Sequence, residues 1–220
     1  MSVKLKSSDK KIVLVDQKVI KQMITIQTML ENLGDDDTNN DEPVPIYEVN
    51  GEILDNVIEW ANYHIETTDK SENKAWGVQF FRTNLEKIFQ IEEAADYLEV
   101  HSLLVDGQDF IDNHFELITA TEAFKNLTQV KFGVLLARDS LNVPNEQTVV
   151  QSLDIWISAD PEERFKCLED LIPYIRAYFL HSQFIEHVNN YLLEQNQSNL
   201  CYQLNFDDKT RIRSMHCYPS

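Results

Sequence analysis

The stretch Thr25-Ile-Gln-Thr-Met-Leu-Glu-Asn-Leu-Gly34, followed by an acidic segment and then by Pro43-Val-Pro-Ile-Tyr-Glu-Val-Asn50, decides the fold of the first half. Apolar residues at helical spacing from Lys18 to Leu30, with a polar break near Thr25, predict one or two short helices. The segment from Gly34 to Glu42 is rich in Asp and Asn, which predicts a mobile loop. The two prolines after it predict an extended segment, because neither suits a helix interior.

Sequence patterns on both sides of this stretch predict the other elements of the first half. Alternating apolar residues between Val3 and Val15, on both sides of Ser7-Ser-Asp9, predict a β-hairpin. One apolar face from Glu52 to His64 predicts a helix, and helical spacing from Leu85 to Leu98 predicts another. The polar segment Glu66 to Lys74 between these helices is expected to be a loop.

The second half is helical throughout in this interpretation. Val134, Leu135, Leu136 and Leu141 are expected to bury one helical face, and a second face is expected to contain Val149, Val150, Leu153 and Trp156. Asp160-Pro-Glu-Glu163 predicts a helix start, with the Asp160 side chain accepting from first-turn amides. Further apolar residues at helical spacing continue to Leu193. Ion pairs between helices are expected for Arg164 and Arg176 with Asp139 and Asp160.

Composition excludes several functional classes. A formal net charge of −18, from 37 acidic and 19 basic residues, disfavours nucleic acid and anionic lipid and favours basic protein surfaces. No apolar run approaches the ~20 residues of a membrane span, and the first residues do not resemble a signal peptide. We therefore expect a cytoplasmic location that can extend to the nucleus. Cys167, Cys201 and Cys217 are odd in number and far apart, which predicts reduced thiols.

No catalytic constellation is present in the sequence. It has no glycine-rich phosphate loop, no G-x-S-x-G, no H-E-x-x-H and no Cys-x-x-Cys. Cys201, His216 and Cys217 form the best metal-like group, but it lacks a fourth ligand at zinc spacing. We predict a protein that is not an enzyme, without catalytic residues, cofactor or metal.

The first half resembles the Skp family of S-phase kinase-associated adaptor proteins over about residues 1 to 115. The resemblance implies a BTB/POZ fold with an acidic insertion and a role in joining cullin-1 to F-box proteins. It rests on the order and spacing of Ser7-Ser-Asp9, Thr25 to Gly34, the acidic segment, Pro43 to Asn50, Val57-Ile-Glu-Trp60, Phe81 through Ile91 to Ala94-Ala-Asp-Tyr-Leu98, and Leu103-Leu104.

The resemblance also implies an interface. In that family a helix ending in an Asn-Tyr-Leu-type sequence contributes to the cullin surface, and the matching residues here are Asp96, Tyr97 and Leu98. Leu98 lies on the apolar face and is expected in the core, which leaves Asp96 and Tyr97 as the cullin interface. Aspartate in place of asparagine changes the charge of this surface. Phe115 to Phe124 stands where the family has its Thr-Pro-Glu-Glu-Ile-type F-box segment, so F-box binding is not supported.

The second half resembles the BACK domain, the helical module after the BTB domain of kelch-like proteins, over about residues 120 to 200. In kelch-like proteins the BTB domain and the first BACK helices hold cullin-3, so the resemblance implies a helical module that takes part in cullin-3 binding. The four-stranded blades of a kelch propeller are not expected here. It rests on Leu135 to Val143, Glu146, Val149, Leu153, Trp156, Asp160, Arg164, Leu168 and Leu171 to Arg176.

These observations combine into one prediction. The chain is expected to be α+β, with a Skp-like BTB/POZ domain in residues 1–115 and an all-α BACK-like domain with a C-terminal tail in residues 116–220. Its expected function is that of a non-catalytic adaptor. It would bind the N-terminal domain of cullin-1 or cullin-3 and link a cullin-RING ubiquitin ligase to a substrate or substrate receptor. The alternative is a BTB-BACK scaffold or competitor that presents no substrate.

Overall fold

The computed structural model describes residues 2–33, 42–67 and 69–175. The chain divides into two compact units, residues 1–110 and 111–220, where the sequence predicted a boundary after residue 115. The predicted fold class is confirmed: the described part of the first unit combines helices with a small sheet, and that of the second is helical.

The first unit contains a three-stranded sheet with strand order β2-β1-β3. Strand β1 pairs antiparallel with β2, with Val3 opposite Val15, and parallel with β3, with Leu5 opposite Val44. The predicted hairpin is therefore present. The strands are β1 Ser2–Lys6, β2 Ile12–Asp16 and β3 Val44–Pro45, and the helices are α1 Gln17–Ile20, α2 Ile24–Leu33, α3 Gly51–Glu66, α4 Lys70–Thr83, α5 Ile88–Tyr97 and α6 His101–Asn113, which crosses the boundary between the units.

The hairpin turn is tied to the start of α3. The Ser7 hydroxyl donates to the Asp9 carboxylate, which also accepts from the Gly51 N–H at 2.9 Å. A Cβ atom at Gly51 would lie 2.9 Å from the Lys11 Cβ, so only glycine allows the turn and the helix to approach this closely. Asn50 caps α3 by accepting from the Ile53 N–H at 2.9 Å. The Ser-Ser-Asp sequence thus fixes the sheet against α3.

The core of the first unit lies between the inner face of the sheet and helices α3 and α5. Ala94 and Ala95 are 3% and 0% exposed, and their small side chains permit close packing of α5. Trp60 is fully buried. The other large side chains with almost no exposure include Leu5, Met23, Ile26, Ile46, Leu54, Phe81 and Ile88.

The predicted loop from Glu66 to Lys74 is wrong over its second part, where α4 already begins at Lys70. The Asp69 carboxylate accepts from the N–H groups of Ser71 at 2.7 Å and Glu72 at 3.3 Å. These bonds satisfy amides that the first turn of a helix leaves free, so a polar sequence can enter a helix here. The composition of the segment concealed this N-cap.

The second unit is built around a row of aromatic side chains. Phe124 contacts Phe115 and Phe132 edge to face, and Phe132 packs on Trp156 with 5.2 Å between ring centroids. The Trp156 indole N–H donates to the Leu127 carbonyl at 2.8 Å, so this buried donor is satisfied. The helices are α7 Phe115–Thr119, α8 Glu122–Lys125, α9 Gln129–Ala137, α10 Glu146–Ser158, α11 Pro161–Arg164 and α12 Leu168–Leu171, with short 3-10 turns on either side of α12.

Two sequence predictions for the second unit are wrong. Val134 is 64% exposed, whereas Leu135 and Leu136 are buried, because α9 turns Phe132, Leu135 and Leu136 toward the aromatic row. The Asp160 side chain makes no capping hydrogen bond. Its backbone ψ is 77°, whereas the capping Asn145 of α10 has ψ 166°.

The second unit has two charged contacts that the sequence did not predict. Arg164 donates to the Trp156 carbonyl at 2.6 Å, and its guanidinium lies 4.4 Å from the centroid of the Trp156 ring. A buried ion pair joins Arg138 and Asp112, with Nη2 to Oδ2 at 3.1 Å and Nε to Oδ1 at 3.0 Å. It joins the end of α6 to the end of α9.

Several predictions lie outside the described residues. They concern the acidic segment up to residue 41, the apolar pattern from Phe179 to Leu193, the pairing of Arg176, and the group Cys201, His216 and Cys217 with the rest of the tail.

Candidate protein-interaction surface

The two predicted interface residues lie in the last turn of α5. Asp96 is exposed and Tyr97 is half-buried, while Leu98 is 0% exposed, which confirms that Leu98 belongs to the core. The opposite side of α5 is fixed in the core by Ile91 and Ala95. The helix therefore presents Asp96 and Tyr97 from a rigid support.

The chain leaves α5 through a left-handed residue. Glu99 has φ 53°, and its N–H donates to the Asp96 carbonyl at 3.0 Å, while the Val100 N–H donates to the Ala95 carbonyl at 2.8 Å. This is the Schellman pattern of a helix C-terminus, in which glycine is the favoured left-handed residue. Glutamate there carries conformational strain and places a carboxylate beside Tyr97.

Helix α2 contacts this turn through one threonine. The Thr25 hydroxyl lies 2.8 Å from the Tyr97 carbonyl oxygen and 3.2 Å from the Glu99 carboxylate, and the Thr25 N–H reaches the Leu98 carbonyl at 3.4 Å. Next to it, Ile24 is 39% exposed. Sequence reasoning missed Thr25 and Glu99 as parts of this surface; the polar break at Thr25 within an apolar helix was the signal that could have found the first.

The surface is acidic. Between Lys87 and Lys125 the sequence has no Lys or Arg but nine Asp and Glu residues. Exposed Glu93, Asp96 and Glu99 lie in or next to the last two turns of α5, a helix whose own sequence contains no basic residue. A helix C-terminus also carries partial negative charge. The arrangement can attract a basic partner and offer it an aromatic anchor.

A second cluster, in which α3 and α4 meet, is aromatic. Trp76 stacks on Tyr63 with 4.0 Å between ring centroids and 7° between planes, and His64 stacks on the buried Trp60 at 4.1 Å. Trp76 is half-buried and thus helps close this helix pair. Burial raises the pKa of the neighbouring Asp106 above its ordinary value, an effect that the electrostatic interaction with His64 opposes. These rings form packing contacts, and the cluster places no nucleophile against a base.

The described part of the chain offers neither a metal site nor a membrane span. Among the described residues, no three His, Cys, Asp or Glu side chains come close enough to hold a metal ion. None of the helices in residues 2–33, 42–67 and 69–175 has the length and apolar character needed to cross a bilayer.

Comparison with known proteins adds two family matches and several relatives. The model of the Skp1 family, tetramerisation domain, matches residues 1–66, and the BACK model (BTB And C-terminal Kelch) matches residues 88–190. A "Skp1-related protein" of Caenorhabditis elegans is 36% identical over 115 residues, which cover 46% of this chain and 65% of that protein.

Two fungal relatives, each named "E3 ubiquitin ligase complex SCF subunit sconC", extend this comparison. That of Talaromyces stipitatus is 33% identical over 122 residues, covering 50% of this chain and 74% of the relative. That of Neosartorya fischeri is 35% identical over 126 residues, covering 51% and 75%. The likeness thus concerns about half of this chain.

Proposed function

Because this chain belongs to the Skp1 family, we propose that it is a non-catalytic adaptor of a cullin-RING ubiquitin ligase. The adaptor transfers no group itself. It holds a substrate or substrate receptor near the ubiquitin-loaded enzyme, and so raises the effective concentration of the target. The BACK match in the second half adds a helical module. This module resembles the one that follows the BTB domain in kelch-like proteins, which hold cullin-3.

The observation that carries the proposal is the turn at the end of α5. A half-buried tyrosine stands among exposed carboxylates on a helix whose other face is locked in the core, and Thr25 of α2 fixes the turn from the side. Rigid aromatic anchors with a charged surround are typical of protein interfaces. We assign Asp96 and Tyr97 to the cullin contact, with Ile24 and Glu99 at its margin.

The partner is the N-terminal domain of cullin-1 or of cullin-3. The resemblance of the first unit favours cullin-1, and that of the second favours cullin-3. Either partner is expected to present basic residues to the acidic end of α5, because the charge of the surface would repel an acidic one. The location predicted from the sequence, cytoplasmic and extending to the nucleus, stays a prediction.

Calorimetry of the full chain with the two cullin N-terminal domains, side by side at physiological salt, tests this function. We expect measurable binding to one of them. Tyr97→Ala should weaken it at least about tenfold, in the range of interface anchors, without loss of helicity. Tyr47→Ala is the matched control, since Tyr47 is 75% exposed in the same unit and should leave affinity unchanged.

The adaptor function and the contact at Tyr97 would be contradicted by different results. Absence of binding to both cullins would overturn the adaptor function. Binding that Tyr97→Ala leaves intact would retain the function and place the contact elsewhere. Asp96→Asn separates charge from shape, because it removes one negative charge with little change in size.

A second candidate is a BTB-BACK scaffold or competitor that occupies a cullin without presenting substrate. It is favoured by the BACK match of residues 88–190. In this part of the chain the sequence has no counterpart of the Thr-Pro-Glu-Glu-Ile-type segment with which the Skp family holds the F-box. Affinity purification from cells followed by turnover measurements distinguishes the two. An adaptor recovers cullin together with a protein whose half-life it shortens, whereas a competitor recovers cullin and lengthens the half-lives of other ligase targets.

A further inference from the structure

Strand β2 lies at the edge of the sheet that the described residues form. Ile12 is 58% and Leu14 is 65% exposed, and both lie on the outer face of the sheet. The opposite, inner face carries Val15, which is buried, and Val13, which is half-buried. A short edge strand with exposed apolar side chains and no proline or bulge is a template for pairing with another strand.

The free backbone groups of β2 can be identified from the hairpin. The Ser7 N–H donates to the Lys11 carbonyl at 2.9 Å, so residues 7 and 11 form a hydrogen-bonded pair. Such pairs alternate along an antiparallel ladder, which directs the backbone groups of Val13 and Val15 toward β1. The N–H and C=O groups of Ile12 and Leu14 therefore point to the open edge.

The outer face of β2 is complementary to itself. Two copies of β2 can run antiparallel about a two-fold axis at Val13, which places Ile12 opposite Leu14 of the second copy and Leu14 opposite its Ile12. Both are hydrogen-bonded pairs, so the four free N–H groups meet four free carbonyls. The matched region is the apolar centre of β2, because Lys10 has φ 70° in the hairpin turn and lies outside the strand.

Neighbouring registers lose this match. A two-fold axis at Leu14 sets Ile12 against the Asp16 carboxylate. An axis at Ile12 leaves Leu14 without a strand partner, because position 10 of the second copy lies in the hairpin turn, where Lys10 has φ 70°. An axis between two residues would oppose a free backbone group to one already bonded to β1. Only the axis at Val13 joins apolar to apolar side chains and free donors to free acceptors along β2.

We propose that β2 is a self-association edge, at which two copies of this chain join their sheets through β2 in the register centred on Val13. The half-buried Val13 side chains then meet at the axis on the inner face. A contact of two five-residue strands is smaller than a standard stable interface, so the dimer is weak and concentration-dependent. The proposal does not depend on cullin binding.

Sedimentation velocity of the full chain between about 10 µM and about 1 mM tests the association, because weak interfaces assemble in this range. At 0.15 M salt the repulsion between two copies of charge −18 is screened beyond about 8 Å. We expect the weight-average sedimentation coefficient of the wild type to rise with concentration, and Leu14→Lys to lower the association constant at least about tenfold. Val134→Lys is the control, because Val134 is 64% exposed but lies outside the sheet.

A cysteine scan tests the register. In a background with Cys167, Cys201 and Cys217 replaced by serine, Val13→Cys should form a disulfide between copies under mild oxidation, since only residue 13 faces itself, at about 4.5 Å between Cα atoms. Ile12→Cys faces a leucine and should cross-link far more slowly. A wild type that stays monomeric, a Leu14→Lys variant that associates like the wild type, or equal cross-linking at positions 12 and 13 overturns the proposal.

Discussion

The ion pair of Asp112 and Arg138 should respond asymmetrically to removal of its two members. The Asp112 side chain is 4% exposed and that of Arg138 is 19% exposed. Arg138→Met keeps the apolar stem but leaves a buried carboxylate without its guanidinium, a change that costs about 3–5 kcal/mol of unfolding free energy. Asp112→Asn leaves a cation that still reaches water and an amide oxygen that can still accept, so it should cost only about 1–3 kcal/mol.

The measurement must report the second unit alone, because a chain of two units need not unfold in one step. Amide hydrogen exchange in α9 and α10 at several urea concentrations gives the free energy of opening for that unit. Glu163→Gln is the control, since its ion pair with Lys166 has side chains 69% and 67% exposed and should contribute less than about 0.5 kcal/mol.

The order of the two effects carries the test. If Asp112→Asn destabilised the second unit as much as Arg138→Met, the cost of a buried carboxylate without its guanidinium would not explain the loss of stability. If both variants stayed within the range of Glu163→Gln, the pair would not be buried in solution, and its assigned role of joining α6 to α9 would be refuted.

Three further outcomes follow from burial, strain and charge. Leu136→Ala should lower the unfolding free energy of the second unit by about 2–5 kcal/mol while Val134→Ala changes it by less than about 0.5, and equal losses in urea unfolding would refute the orientation of α9. Glu99→Gly should stabilise the first unit by about 0.5–1 kcal/mol in the same assay, because glycine adopts the positive φ without strain. A lower unfolding free energy of the variant would contradict the strain assigned to Glu99. The Ser7 hydroxyl and then the Gly51 N–H hold the pKa of Asp9 below the ordinary value of an aspartate, so its contribution to stability is present above that ordinary pKa and lost as the pH falls through the lowered one. Asp9→Asn should accordingly destabilise more at pH 6 than at pH 2 in thermal melts, and a pH-independent effect would contradict the assigned hydrogen bonds.

The sequence was sufficient where one signal dominated. Alternation around Ser7-Ser-Asp9 predicted the hairpin, and the apolar face from Glu52 to His64 predicted α3, because burial against one surface imposes a period on the sequence. The resemblances to the Skp family and to the BACK domain are confirmed by the family matches. Order and spacing of local features thus determined the architecture.

The remaining features were mispredicted or missed because no local pattern in the sequence records the contacts on which they depend. Helix α9 is apolar almost all round, with Val130 and Val134 exposed and Phe132, Leu135 and Leu136 buried, so periodicity cannot tell which face meets the core. The start of α4 depends on one capping carboxylate in a polar stretch. The ion pair of Asp112 and Arg138 joins residues 26 apart, and no local pattern records such a contact.

At the candidate site, the sequence pattern was enough to select the interface residue, whereas its surroundings became visible only in the structure. Tyr97 could be selected because it is one position off the apolar stripe of α5. Its surroundings depend on the left-handed turn at Glu99, which no glycine in the sequence marks. Glycine at position 99 would relieve the left-handed strain, yet it would remove a carboxylate from a surface whose attraction for a basic partner depends on charge. Stability and surface charge therefore favour different residues at this position, and the glutamate that is present favours charge. That choice is the kind expected where a turn serves an interface rather than the fold alone.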